Sequence, residues 1–205
     1  MINHGYFHDD FYREIAERAS SSQIQTVQLN SLDVVNQQSG SCSFGRFLCL
    51  LPRLTDLMIN HGSFHDDFYR EIAKRASSSQ IQTVQLNHLY VVNQQSGSCC
   101  LGGFLCLLPR LTDLMINQSS FHDDFYREIA ERASSSQIQT VQLNHLYVVN
   151  QQSVSCCLGR FLCLLPRLTD LMINQSSFHD DFYREIAERA SSSQVRYTKI
   201  NLSFD

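Results

Sequence analysis

The chain repeats itself every 57 residues: Met-Ile-Asn begins at Met1, Met58, Met115 and Met172. Residues 58–114 and 115–171 differ at five positions only, and residues 115–137 and 172–194 at none. Identity this close implies recent duplication, so likeness between copies reports ancestry rather than constraint. The period itself constrains the architecture. A short unit that cannot bury its apolar side alone must stack on its neighbours, and the chain becomes an array.

Within each unit a smaller pattern occurs twice. In LTDLMIN (54–60), Leu54, Leu57 and Ile59 coincide with Ile81, Val84 and Leu86 of IQTVQLN (81–87), and both end in asparagine, Asn60 and Asn87. The same spacing recurs at Leu111, Leu114 and Ile116, at Ile138, Val141 and Leu143, at Leu168, Leu171 and Ile173, and upstream at Ile24, Val27 and Leu29. Successive motifs are 27 and 30 residues apart, as from Leu54 to Ile81 to Leu111. The terminal alternation has the period of a strand. It predicts eight strands whose motifs start at Met1, Ile24, Leu54, Ile81, Leu111, Ile138, Leu168 and Val195. In the last of these, VRYTKINLSFD replaces the repeat, and Val195, Thr198, Ile200 and Asn201 keep the spacing. The asparagines at 3, 30, 60, 87, 117, 144, 174 and 201 are expected to bond backbone groups that a turn leaves unpaired.

Between strands the period changes. In SFHDDFYREIAKRASSS (63–79), Phe68, Ile72 and Ala76 are four apart with Tyr69 and Ala73 beside them, an apolar helical stripe. Ser63 and Asp66 have capping-box spacing, Asp66 and Asp67 suit a helix N-terminus, Glu71 and Arg75 form an i,i+4 pair for the outer face, and Ser77–Ser79 end the helix. CCLGGFLCLLPRL (99–111) reads as a shorter helix stopped by Pro109. Gly102 and Gly103 should each weaken it by about 1 kcal/mol relative to alanine.

The strand pattern L-x-x-L-x-L is that of leucine-rich repeats, and two alternating repeat lengths of this size characterise the ribonuclease-inhibitor-like subclass, which also supplies the repeats of cytoplasmic NACHT–LRR receptors. The chain resembles that subclass over essentially its whole length in period, strand motif and helix placement. It departs two positions past the asparagines, where the family has Asn or Cys and this chain has Leu89 and Leu146, or Gly62 and Ser119. The resemblance implies an α/β solenoid, a horseshoe arc of parallel strands on the concave face and helices on the convex face. Residues 1–205 form one array of double repeats starting at 1, 58, 115 and 172. Because the repeat frame opens inside a strand motif and breaks after Gln194, a fragment of a longer protein is expected.

Composition narrows the function. The net charge is −4, the pI about 6.0, and no basic run appears, so the footprint of nucleic-acid binding is missing. The longest apolar runs, such as FLCLLP (104–109), fall far short of a membrane span, and MINHGYFHDD lacks the cationic start and apolar stretch of a secretory leader. The eight cysteines include no C-x-x-C pair and alternate with Leu and Phe, which fits small apolar side chains kept as reduced thiols in the cytoplasm. The tetrapeptide FHDD (7–10, 64–67, 121–124, 178–181) resembles a metal ligand set, but it recurs along a rod instead of converging. Helix-start chemistry accounts for its aspartates. No phosphate-binding glycine loop and no nucleophile with a fixed base occur. The expectation is therefore no enzyme, no metal and no cofactor.

What remains is a protein-binding scaffold similar to the sensor region of NACHT–LRR innate immune receptors; the alternative is the substrate-recruiting repeats of an F-box-type ubiquitin ligase adaptor. Period two sends the residues between the aliphatic ones to the concave face. These are Asp56, Met58, Asp113, Met115, Asp170 and Met172 in one strand class and Thr83, Gln85, Thr140 and Gln142 in the other. His88, Tyr90, His145 and Tyr147 flank them on the rim, near His61. Differences between copies cluster there, at His61/Gln118, Gly62/Ser119, Ser31, Asp33 and Tyr6. The open edges of the first and last strands are expected to make the isolated chain self-associate.

Overall fold

The structure is a computed structural model and describes residues 2–3, 9–31, 33–34, 38–91, 95–148, 152–190 and 199–203. Eight strands pair in one parallel sheet: β1 (Ile2–Asn3), β2 (Thr26–Asn30), β3 (Asp56–Asn60), β4 (Thr83–Asn87), β5 (Asp113–Asn117), β6 (Thr140–Asn144), β7 (Asp170–Asn174) and β8 (Lys199–Ser203). Their spatial order is their sequence order, so every strand neighbours only the one before and the one after. Helices alternate with them: α1 (Asp9–Arg18), α2 (Gln38–Leu50), α3 (Asp66–Arg75), α4 (Gln95–Leu107), α5 (Asp123–Arg132), α6 (Gln152–Leu164) and α7 (Asp180–Ala190). Each helix packs on its predecessor and successor. The chain is thus an α/β fold with a parallel sheet, built by repetition.

The strands begin two residues after the motif. Leu54, Leu111 and Leu168 are buried but stand in the turn before each strand, which starts at Asp56, Asp113 or Asp170. Within β3 to β7, burial alternates residue by residue. Leu57, Ile59, Val84, Leu86, Leu114, Ile116, Val141 and Leu143 are buried, and their neighbours are half-exposed. Three two-residue parallel ladders, which the sequence pattern did not announce, pair Asp33–Val34 with Ser63–Phe64, Tyr90–Val91 with Ser120–Phe121, and Tyr147–Val148 with Ser177–Phe178.

These ladders explain a correction at the helix starts. Ser63 cannot cap α3, because the backbone stays extended through Phe64. The cap is His65, whose Nδ1 accepts from the Asp67 N–H at 3.3 Å; His122 and His179 do the same for Asp124 and Asp181. FHDD is therefore a helix-entry motif, with Asp67 also paired to Arg70. The helix runs to Arg75, and Ala76–Ser78 continue it as a 3₁₀ turn.

The companion helix is the longer of the two, not the shorter. α4 begins at Gln95 and has 13 residues against 10 in α3. It ends at Leu107, two residues before Pro109. Gly102 lies where α4 meets α5: a Cβ there would come within 2.9 Å of the Phe125 carbonyl oxygen, and Gly45 and Gly159 meet Phe68 and Phe182 likewise. Glycine's cost in helix propensity is here exchanged for close helix packing.

Aromatic rings fill the space beneath. Phe64 and Phe68 stack at 4.2 Å, Phe68 meets Tyr69 edge-on, and Phe44 of α2 reaches the same cluster; all four are 0–1% exposed. Glu71 is another correction. It pairs with Arg75 at 2.8 Å, but it is 9% exposed and lies at the junction with α2, where the Cys42 thiol approaches it. At the chain's first helix, Phe11 is 42% exposed and Ile24 beyond it 41%, whereas their repeat equivalents Phe68 and Ile81 are buried by the preceding helix and strand.

The last strand pairs in a different register from the one its spacing suggests. Ile200 is the partner of Leu171 and Leu202 of Ile173, so Ser203, not Asn201, stands beside Asn174. This register aligns two aliphatic residues with the buried positions of β7, where the expected one would align Thr198 and Ile200. Val195 and Thr198 lie outside the described residues.

Candidate functional site: the open face of the sheet

The sheet has one face buried under the helices and one face open. Register places the open-face residues in straight rows. In the first, Thr26, Asp56, Thr83, Asp113, Thr140 and Asp170 are successive Cα partners. Gln28, Met58, Gln85, Met115, Gln142 and Met172 form the second, and Asn30, Asn60, Asn87, Asn117, Asn144 and Asn174 the third. Each row alternates, or is uniform, because the two strand classes alternate. All of the expected concave-face residues from Asp56 to Met172 therefore share one surface. Thr83, Gln85, Asp113, Met115, Thr140 and Gln142 line a hollow of about 240 Å³ at its middle.

The rows differ in how much of their bonding capacity the fold consumes. The asparagine row is engaged with itself. Asn60 Nδ2 donates to Asn30 Oδ1 at 2.6 Å, Asn87 donates to Asn60, Asn117 to Asn87, Asn144 to Asn117, and Asn174 to Asn144 at 2.7 Å. These amides bond one another along the array instead of bonding turn backbone as the sequence suggested. They also belong to the open face, which the period of two carries one step beyond Met58 and Gln85.

The aspartates are positioned but uncompensated. Thr55, Thr112 and Thr169 donate their hydroxyls to the following carboxylates at 2.7, 2.6 and 2.8 Å. Among the described residues no cation forms an ion pair with Asp56, Asp113 or Asp170, and the Gln85 and Gln142 side-chain amides have no protein partner. The Thr-Asp dipeptide was the available signal for this fixation, and sequence reasoning passed over it.

Past the asparagines the backbone turns sharply. Ser31, His61, His88, Gln118, His145 and Gln175 all have φ between 45° and 55° without being glycine. Each left-handed residue costs on the order of 1 kcal/mol. It keeps one more rung of the ladder: the N–H of His61 bonds Asn87 O at 3.0 Å, that of His88 bonds Asn117 O, and that of His145 bonds Asn174 O. The rings of His61 and His88 stack at 4.1 Å. Removal from water, then the charges of His61 and His145, push the His88 imidazole below its ordinary pKa. Tyr90 stands out at 67% exposure on the rim; the Tyr147 and Tyr6 side chains lie outside the described residues.

Behind the rim, serine bonds buried backbone. The buried Ser119 hydroxyl accepts from the Leu89 N–H at 3.0 Å and faces the carbonyls of Leu86 and Asn117; Ser176 repeats this with Leu146, Leu143 and Asn174. Gly62 has no room for the same group, since a Cβ there would lie 2.5 Å from the Phe64 ring.

The cysteines stay in the helix layer, all eight as free thiols. Cys49 and Cys106 donate toward the carbonyls of Ile72 and Ile129, and burial pushes both thiols up to about 12. Neither is a nucleophile at neutral pH. Among the described residues no three His, Cys, Asp or Glu side chains converge as a metal site would require, and no helix is long and apolar enough to cross a membrane.

Compared with known proteins, the chain matches no family model and no curated protein.

Proposed function

We propose that the chain is a non-catalytic protein-binding scaffold of the leucine-rich repeat kind, an arc whose open sheet face is concave and receives a polypeptide partner. It is similar in this to the cytoplasmic sensor regions of NACHT–LRR receptors. The supporting observation is the division of labour across the sheet. One side of every strand from β3 to β7 is consumed by packing, while the other presents registered carboxylates, amides and thioethers. Thioethers adapt to varied partners, and the exposed Tyr90 adds contact area at low entropic cost. Strictly repeated rows suit recognition of an extended surface better than a single reacting centre, which needs unlike groups converging on one atom. The end strands, each with one neighbour, are where self-association would begin.

The test is partner capture with the purified chain, followed by substitution of Asp113, Met115 and Gln142 to alanine together. Control substitutions are Glu131 and Arg132, exposed on α5. Capture lost with the sheet-face changes and kept with the helix changes supports the reading; the reverse pattern overturns it. Light scattering over micromolar concentrations reads the assembly, and a clean monomer throughout removes that part.

A further inference from the structure

We propose that the open face takes an extended, polyproline-II-like segment that crosses the strands and presents Lys or Arg at every third residue. The inference rests on the protein-binding reading above and adds the chemistry of the partner.

Spacing carries the argument. Asp56, Asp113 and Asp170, which form no ion pair among the described residues, occur on every second strand in one straight row. Neighbouring strands are about 4.8 Å apart, so consecutive carboxylates in the row are about 9.6 Å apart. A polyproline-II segment rises about 3.1 Å per residue with three residues per turn, so every third side chain returns to the same side after about 9.3 Å. A helix returns a side chain to one face after three or four residues, about 5.4 Å, and again after seven, about 10.5 Å. Neither step matches, and the longer one drifts off register by nearly 1 Å each time. In a β-strand the third residue points to the opposite side.

The second row fits the same occupant. A polyproline-II backbone makes no hydrogen bonds of its own, so its carbonyls are free for donors. The amides of Gln85 and Gln142, without protein partners, lie between the aspartate row and the closed asparagine row. The thioethers of Met58, Met115 and Met172 alternate with them and offer apolar contact to proline rings or lysine stems. Arg53, Arg110 and Arg167 stand in exposed turns three residues ahead of the aspartates. They repel a cationic segment at that edge, which confines it to the Asp and Gln/Met rows. The pattern stops at β8, where Lys199 is the backbone partner of Asp170.

Two labelled 15-residue peptides of equal composition make the test: five repeats of Pro-Pro-Lys, and ten prolines followed by five lysines. Binding to the full chain is read by fluorescence anisotropy at low ionic strength. The periodic peptide is expected to bind at least about 10-fold more tightly than the block peptide. The triple variant Asp56→Asn, Asp113→Asn, Asp170→Asn keeps an acceptor for each threonine and is expected to abolish the preference, with circular dichroism showing the fold unchanged. Equal affinity for the two peptides, or an unchanged preference in the triple variant, overturns the inference. If a captured protein is released by the Asp113, Met115 and Gln142 changes but the periodic peptide neither binds nor competes, the face still binds protein and only the partner chemistry proposed here falls.

Discussion

The acids of the helix layer and the acids of the open sheet face live in different circumstances. Asp67, Glu71, Asp124, Glu128, Asp181 and Glu185 each face an arginine of the same helix, three or four residues on. Asp56, Asp113 and Asp170 have a threonine hydroxyl and, among the described residues, no ion-pair partner. The helix acids are consumed in holding the layer together, and several are half-buried where charge must be matched. The sheet acids stand where water can solvate them, so the fold tolerates their isolation, and they remain available. A charge without an internal partner, on a surface laid out in register, is a group the fold does not need for itself.

The contrast between the two faces is sharpest on a single strand. Leu114→Ala should cost about 2–5 kcal/mol, because the helix-side core cannot close over the lost atoms. Its neighbour Met115→Ala should cost under about 1 kcal/mol. Urea denaturation of both variants measures the difference; equal losses would mean that the open face is packed after all.

A smaller effect is expected at the rim. Ser119→Ala leaves the Leu89 N–H buried without its acceptor and should destabilise by about 1–3 kcal/mol. Glycines come next. Gly102→Ala should lower stability by about 1 kcal/mol or more, since the Phe125 carbonyl cannot retreat from the added methyl. Gly103→Ala should raise it by up to about 1 kcal/mol, because only the movable Glu128 carboxylate lies near. The two substitutions, one residue apart, should therefore move the urea midpoint in opposite directions.

The smallest effect concerns His88. Its pKa in the folded chain is depressed, so folding resists the proton. The stability this group supports is fully present above its unfolded value near about 6.5 and is lost as pH falls through that range. His88→Gln, using the residue that takes the same backbone shape at Gln118 and Gln175, should flatten that part of the pH dependence. Thermal midpoints of the two proteins at pH 7.5 and pH 5.5 check it, and equal slopes would refute it.

Much of this organisation was legible because it depends on periodicity. The spacing of Leu57 and Ile59 sorts each strand's residues into buried and open, and so places Asp56, Met58 and Gln85 on the open face. The proline that ends the long helices is equally plain. What escaped depends on contacts between units. Glu71 and Arg75 have the spacing of a solvent-facing pair, yet the neighbouring α2 covers the acid. Gln95–Ser98 look like a polar loop, but they form the first turn of α4, and Ser98 accepts from the His122 N–H of the next repeat. His65 is not among the usual capping residues, and only the short ladder at Ser63–Phe64 shows why it takes that place. The register of β8 turned on two aliphatic residues set two positions later than the motif.

The asparagine row has one further property. From Asn60 to Asn144 every amide donates toward the N-terminal neighbour and accepts from the C-terminal one, so the chain of bonds has a direction. Turning one amide over would set donor against donor on one side and acceptor against acceptor on the other. A single reversal is therefore costly, and the row has only two low-energy states, all one way or all the other. Aligned amides polarise one another, so each bond gains from those beside it. The orientation of Asn30 is in this sense decided jointly with that of Asn174, five strands away, and the line of side chains behaves as one polar object spanning the array.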